Sequence, residues 1–291
     1  MAGWTTLRNL VDAEFTQSVE EGKMAADVEA IRDAWRKLDE HDDASHAVLF
    51  EQLLALPVRD DFPYDEPSDY EAIVKRRPDV EQRRFDVNFD EAALMDHMHG
   101  AWLGRCVGCA LGKPVESFMD SRGDLLSWQR LRAYLTAIGD DEWPLRDYIP
   151  EHSPAEDQAG SVTCRPSTRQ HIAFMETDDD IRYTVLGQIV LQEHGATVSS
   201  EDIMQAWLWH LGGSMVCTAE TQAYRNVMSR YPVHGGKLSA REIDWSWVAT
   251  HQNPYREWIG AQIRADPFGY ATPGDPQRAA ALAWRDARMS H

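Results

Sequence analysis

Apolar residues recur at helical spacing through the first part of the chain. Leu7, Leu10, Val11 and Phe15 make one stripe, Val28, Ile31, Trp35 and Leu38 a second, and the run from Val48 to Leu56 a third. The spacing predicts two or three amphipathic helices over residues 5–56. From Pro57 to Pro78 the periodicity stops, and Asp60-Asp61 with the breakers Pro63 and Pro67 predict an acidic, proline-rich linker. The next helix is expected to start at Asn88, with Glu91 three residues on as its capping partner and Leu94, Met98 and Trp102 as its apolar face. Another is expected around residues 125–138, and another over 177–194, where Ile181, Val185, Leu186, Ile189 and Val190 repeat and Gly195 closes the segment. Helices follow over Ser200–Leu211 and Thr218–Ser229, and Asp275-Pro276 opens the last, a capping residue followed by proline at the first helical position. The segment Gly139 to Arg169, rich in proline, glycine and charge, is long for a loop and reads either as a lid over a site or as disorder. No run alternates in polarity as a strand would, so the expected fold class is all-α, a compact multi-helix bundle.

Two stretches carry candidate chemistry. Met175-Glu176-Thr177-Asp178-Asp179-Asp180 places a hydroxyl and consecutive carboxylates at the mouth of the 177–194 helix. These are hard oxygen donors of the kind that suit Mg²⁺, Mn²⁺ or Ca²⁺. A capping box formed by Thr177 and Asp180 is the plainer reading of part of it. Four acidic side chains from Glu176 to Asp180 exceed what a helix start needs, and they repel one another unless a cation intervenes. The second stretch is a ladder, Gly100, Gly104, Gly108 and Gly112, within the segment that ends at Lys113-Pro114-Val115-Glu116. Four interior glycines cost about 3–4 kcal/mol against alanine, which predicts a close approach by another helix or a ligand. Lys113-Pro114 is expected to end the helix and place Glu116 on a loop. Val107 and Pro114 stand where a phosphate-binding P-loop requires Gly and Ser/Thr, so that motif is excluded.

Together these segments resemble the ADP-ribosylglycohydrolase family, all-helical enzymes with a dinuclear magnesium site that cleave ADP-ribose from modified proteins. The family's G-x-x-x-G-x-x-x-G-D-A-L-G-x-P-x-E segment corresponds to Gly100–Glu116, and its T-D-D-x segment to Thr177–Asp180. Cys217 to Asn226, Asn253 to Asp266 and Pro273 to Ala280 are similar to a branch that also carries an N-terminal helical extension. The resemblance implies an extension and acidic linker over residues 1–88, and the family domain over 89–291. It also implies that Thr177, Asp178 and Asp179 hold metal, two Mg²⁺ ions with Mn²⁺ as an alternative, and that Glu116 is the catalytic acid/base. Asp180 is left to cap the helix or support the ligands. Cys109, Gly260, Arg264, Gly269, Tyr270 and His291 fall at or beside positions that resemble the family's substrate pocket, although a packing or surface role fits Gly260, Arg264, Gly269, Tyr270 and His291 comparably well.

Two departures stand out. Cys109 occupies the place of the motif's Asp, and the D-x-D-T motif that completes the family's metal pair is missing after Asp180. The domain is therefore expected to be incomplete at its C-terminus: either the chain is a fragment, or a second chain supplies the other half-site. The 291-residue chain alone is then expected not to match intact relatives in rate. The expected activity is hydrolysis of an N- or O-glycosidic bond between ADP-ribose, or a related ribosyl group, and a protein side chain or small molecule. The alternative is a catalytically incomplete relative that binds ribosyl groups or nucleotides, or scaffolds a partner.

Composition narrows the partners. With 29 Lys+Arg against 48 Asp+Glu the net charge is −19, which argues against a nucleic-acid partner. The N-terminal stretch lacks the apolar core of a signal peptide, and no window approaches the roughly 18 apolar residues of a membrane span. A cytoplasmic protein without a membrane partner is expected. Cys106-Val-Gly-Cys109 invites a redox or zinc reading, but both lie inside the ladder with no second pair, so small-residue packing is preferred.

Overall fold

The computed structural model describes residues 6–78, 85–87, 90–119, 125–239 and 242–291. The N-terminal stripes fold as helices α1 (Leu7–Glu20), α2 (Ala25–Trp35) and α3 (Asp43–Ala55). Thr6 caps α1 by accepting from Asn9 N at 3.3 Å, and Asp42 caps α3 by accepting from Ser45 N at 3.1 Å. Their apolar faces meet in one core, where Leu10, Val11, Phe15, Phe50 and Leu53 are fully buried. The expected linker is not unbroken. Asp69 accepts from Ala72 N at 3.0 Å and opens helix α4 (Tyr70–Arg76), whose Tyr70 ring packs on Trp284 with centroids 5.4 Å apart. The residues between Pro67 and Pro78 hold one short helix because none of them is proline, and a good cap precedes them.

Two compact units divide the chain: Met1–Val87 with Tyr183–His291, and Asn88–Arg182. The second unit is built on α5 (Glu91–Gly112), followed by a 3-10 helix Lys113–Phe118, α6 (Ser127–Thr136) and the short α7 (Glu156–Ala159). The α5 cap is Asp90, which accepts from Ala93 N at 2.7 Å. The expected start at Asn88 lies outside the described residues, and the helix begins after it. Glu116 is not on an open loop: proline at the head of a helical turn needs no N–H partner, so Pro114 lets the chain tighten into the 3-10 helix that carries Glu116. Disorder over 139–169 is overturned as well. Ile149 and Ala159 are fully buried against Phe118, Tyr134 and Leu135. Arg130, itself buried, donates to Ala159 O at 2.9 Å, and Arg169 grips both Glu142 carboxylate oxygens at 2.7 Å.

In the first unit the chain continues through α8 (Asp179–His194), α9 (Ser200–His210), α10 (Thr218–Arg230), α11 (Trp245–Thr250), α12 (Gly260–Arg264), α13 (Asp266–Tyr270) and α14 (Pro276–Ala287). Ser199, one residue before the expected start, forms a capping box with Asp202 on α9, and Asp275 caps α14 as expected. The core of this part gathers Tyr183, Leu186, Val190, Met204, Trp207 and Phe268. One departure from an all-helical chain is a hairpin, β1 (Val233–His234) paired antiparallel with β2 (Lys237–Leu238). Gly235 and Gly236 make its turn at φ +57° and +77°, a conformation that favours glycine, and strands this short show no alternation in the sequence. No helix among the described residues is long and apolar enough to cross a membrane.

The N-terminal helices are joined to the later chain by a buried cation. Arg256 bonds both oxygens of Glu14 (2.7 and 2.9 Å) and both oxygens of Glu21 (2.7 Å each), while Glu14 is fully buried. Such bidentate pairs have geometric specificity beyond their charge.

The packing half of the ladder's expectation is not met: a Cβ added at Gly100, Gly104, Gly108 or Gly112 meets no protein atom within 4 Å among the described residues. Substituting Gly104→Ala is therefore expected to stabilise the protein by about 0.5–1 kcal/mol, the helical propensity difference alone. Urea unfolding measures it, and a loss of stability would reveal a partner pressed on that face.

Candidate functional site

The chemistry of the second unit lies one residue off the glycine ladder. Arg105, Cys109 and Lys113 follow one another at four-residue spacing, a single row along α5 and into the turn after it. All three reach the segment that opens α8. Arg105 Nη2 donates to Asp180 O at 2.9 Å, and the Cys109 thiol donates to Asp178 Oδ1 at 3.1 Å. Lys113 Nζ lies 3.3 Å from Glu176 Oε2 and 3.8 Å from Asp178 Oδ2. Lys113 is only 8% exposed, so this ammonium is committed to the acidic segment rather than to solvent. Burial works against its charge, but Asp178 and Glu176 outweigh that and hold it above its usual range.

The segment itself is set by helix geometry. Arg182 N donates to Asp178 O at 3.1 Å, so Asp178 supplies the first helical acceptor. The Thr177 hydroxyl donates to Asp178 O at 3.2 Å. Asp178 and Asp180 bring a carboxylate oxygen each to within 4.8 Å of Cys109 Sγ and of one another. Burial, then Asp178 and Asp179, push Asp180 up to about 6. Burial foremost, with Asp178 adding, raises Asp179, and burial with the Asp178 and Asp180 charges pushes the Cys109 thiol up. Glu116 belongs to the same field: burial, then Asp178 and Asp179, raise its carboxyl above the usual range. What sequence reasoning missed is the Arg105–Cys109–Lys113 row and the place of Asp180 beside Cys109. The four-residue spacing of that row is the signal that carries it.

Thr177, Asp178, Asp179, Glu116 and Cys109 thus share the second unit. Gly260, Arg264, Gly269, Tyr270 and His291 belong to the first and are described there. Arg264 is 1% exposed. Its Nε donates to Asp286 Oδ2 at 2.6 Å, Nη1 pairs with Glu220, and Nη2 donates to Ser290 Oγ at 3.0 Å. The guanidinium also lies over the Trp207 ring, 4.8 Å from its centroid. Gly260 is needed for this arrangement, because an added Cβ would collide with the Glu220 carboxylate that reaches Arg264. The Gly260–Arg264 spacing is accounted for by an ion pair in the core. Gly269 is exposed, and Tyr270 Oη lies 3.5 Å from Asp266 Oδ2. His291 Nδ1 sits 2.8 Å from Ser290 Oγ, and burial, with the Arg264 charge, pulls its imidazole down to about 3.

Two expectations follow from these charges. Arg264→Met leaves Glu220 and Asp286 buried without their cation and should cost about 3–5 kcal/mol, read from urea unfolding. A loss below about 1 kcal/mol would show that water replaces the guanidinium. At Asp180 the folded carboxyl titrates near 6 against 3.8 for a free one, so between those values the folded state holds a proton that the unfolded chain has lost. Its contribution to stability is fully present below the lower value and disappears as pH rises through about 6. Asp180→Asn should then raise the melting temperature in EDTA at neutral pH and flatten its fall between about pH 4 and 6. The gain is of the order of 1 kcal/mol once solvent screening of this half-exposed group is allowed for. Parallel melting curves for wild type and variant across that range would count against the crowding.

A protein-family model described as ADP-ribosylglycohydrolase matches residues 90–291, from the cap of α5 to the last residue of the chain given. No curated protein and no solved structure matches the chain. The matched part is well over half of the 291 residues and contains both the Gly100–Glu116 and the Thr177–Asp180 segments, so the chain belongs to the ADP-ribosylglycohydrolase family.

Proposed function

We propose that this glycohydrolase-family chain hydrolyses the N- or O-glycosidic bond between ADP-ribose, or a related ribosyl group, and a protein side chain or small molecule. Glu116 is the acid/base, and Thr177, Asp178 and Asp179 are the cation ligands. One observation supports the reading above the rest. Glu116 lies near enough to Asp178 and Asp179 for their charges, added to burial, to hold its carboxyl above the usual range. A carboxyl shifted toward neutrality retains a proton that it can give to a leaving group and then take from water.

The donor set fits a hard divalent cation at Thr177, Asp178 and Asp179: a hydroxyl and two carboxylates at the start of one helix, matching Mg²⁺ or Mn²⁺. A cation held there would supply Lewis-acid polarisation of water and ribose oxygens. The chain's own residues do the remainder. Asp178 and Asp179 orient through a helix start whose backbone is fixed by the Arg182 and Arg105 hydrogen bonds. Lys113 offsets part of the carboxylate charge before any cation arrives. A net charge of −19 makes an unspecific attraction to nucleic acid unfavourable, which agrees with a protein-linked or small-molecule adduct and a cytoplasmic setting.

Release of ADP-ribose from modified arginine, modified serine and a small ribosyl adduct, assayed with Mg²⁺ and Mn²⁺, tests the reading. Glu116→Gln should lower turnover by about 10²–10⁴-fold, the usual cost of losing a general acid/base, with ligand binding retained. Near-normal turnover in the variant would remove Glu116 from the chemistry.

A further inference from the structure

Lys113 reaches the acidic segment from a fixed base. Its backbone N–H donates to Cys109 O, its carbonyl accepts from Thr163 Oγ1 at 3.3 Å, and the neighbouring Pro114 O accepts from Thr163 N at 2.9 Å. The backbone is held without help from the side chain, whose charge is directed elsewhere. Nζ donates to Glu176 Oε2 at 3.3 Å and lies 3.8 Å from Asp178 Oδ2, one hydrogen-bonded pair and one looser one. Glu176, with 37% of its side chain exposed, is the outer partner. Asp178, at 20%, is the inner one, and it is also a proposed cation ligand. A buried ammonium without carboxylates is costly, and so are withdrawn carboxylates without a cation. In the metal-free protein each offsets the other.

We propose that Lys113 is a positioning residue that acts through Asp178 as a built-in counter-ion: it stands in for the divalent cation in the metal-free protein, yields Asp178 when the cation binds, and stays with Glu176. The inference rests on the proposed function, which puts a hard cation on Asp178, and deepens it by naming what limits cation uptake. The competing role is that of a brace for the segment, and the two differ in sign. Removing a brace loosens Asp178 and weakens cation binding. Removing a counter-ion frees a carboxylate and ends the ammonium's repulsion of the dication, so binding tightens while the metal-free protein loses stability. Two observations favour the counter-ion. The segment is already braced through its backbone, by Arg182 N on Asp178 O and by Arg105 on Asp180 O. The closer bond of Lys113 is to Glu176, outside the proposed ligand set, so the contact with Asp178 is the one more easily given up.

Mg²⁺ is the probe, titrated by calorimetry into the full chain and its variants, with thermal melts in EDTA and in Mg²⁺ alongside. Lys113→Met should bind Mg²⁺ about tenfold tighter than the wild type, within the coupling seen between neighbouring charges. It should also melt lower in EDTA, and Mg²⁺ should narrow that deficit. Lys113→Gln carries the same expectation if methionine is not tolerated, and Lys113→Arg, which keeps the charge, should stay close to the wild type. Glu176→Gln leaves the ammonium to Asp178 alone, so it should weaken binding by more when Lys113 is present than in the Lys113→Met background. Affinity that is unchanged or weakened in both neutral variants, or equal losses from Glu176→Gln in the two backgrounds, would overturn the counter-ion and leave the proposed function standing. An absence of Mg²⁺ binding by the wild type and by every variant would overturn both.

Discussion

Charge crowding at the start of α8 is the constraint on which the candidate site depends. Glu176, Asp178, Asp179 and Asp180 follow one another almost without interruption, and Glu116 shares their field. Burial, and after it the like charges of Asp178 and Asp179, push the Asp180 carboxyl up to about 6. The fold answers with one row of side chains from α5. Arg105 holds a backbone oxygen, Cys109 donates a weak hydrogen bond, and Lys113 brings an ammonium within reach of both Glu176 and Asp178. These contacts reduce the repulsion without removing it: after burial, the Asp178 and Asp179 charges still hold the Glu116 carboxyl above its usual range. A cluster with unspent negative charge is suited to taking up a dication.

The first unit solves a related problem in the opposite sense. There the isolated charge is positive: Arg256 and Arg264 are almost completely withdrawn from solvent. Each is surrounded by carboxylates, Glu14 and Glu21 for the one, Glu220 and Asp286 for the other. A buried pair is costly to form and more costly to break, so its value lies in fixing which segments meet. Arg256 makes α1 and the residues after α11 one packed body, and Arg264 makes α10, α12 and α14 another. Gly260 shows how closely the backbone must follow these charges, since even a methyl group there would occupy the place of the Glu220 carboxylate.

Much of this was legible in the sequence, unevenly and for physical reasons. The apolar stripe of α1 and the opening of α14 at Asp275-Pro276 were legible because a helical period and a cap followed by proline are local signals. The acidic segment was legible because four acidic side chains exceed what a helix start needs, and Glu116 only through the resemblance of Gly100–Glu116 to the family's segment. The hairpin and α4 were not, since each is too short to establish a period and rests on a single turn or cap. The order within 139–169 was hidden for a different reason. It depends on contacts distant in sequence, such as Tyr134 Oη donating to Pro150 O at 3.0 Å and Arg169 pairing with Glu142, which no local pattern reports. Arg264 was legible as a residue that matters, while its burial could not be read from a G-x-x-x-R spacing that a binding site and an ion pair satisfy equally.

The glycine ladder shows how a strong pattern can sit beside the informative one. Glycines at every fourth residue invite a packing explanation, yet among the described residues no protein atom comes near enough to any of them to require the missing Cβ. The residues that follow three of these glycines, Arg105, Cys109 and, after Gly112, Lys113, repeat at the same interval because a helix turns once in about 3.6 residues. They contact the acidic segment, and the glycines do not. A period in the sequence therefore identifies the spacing of a functional face without saying which of the adjacent rows forms it. Only the row able to meet carboxylates with a guanidinium, a thiol and an ammonium has partners to meet, and its side-chain chemistry, more than the regularity of the ladder, gives α5 its role in the site.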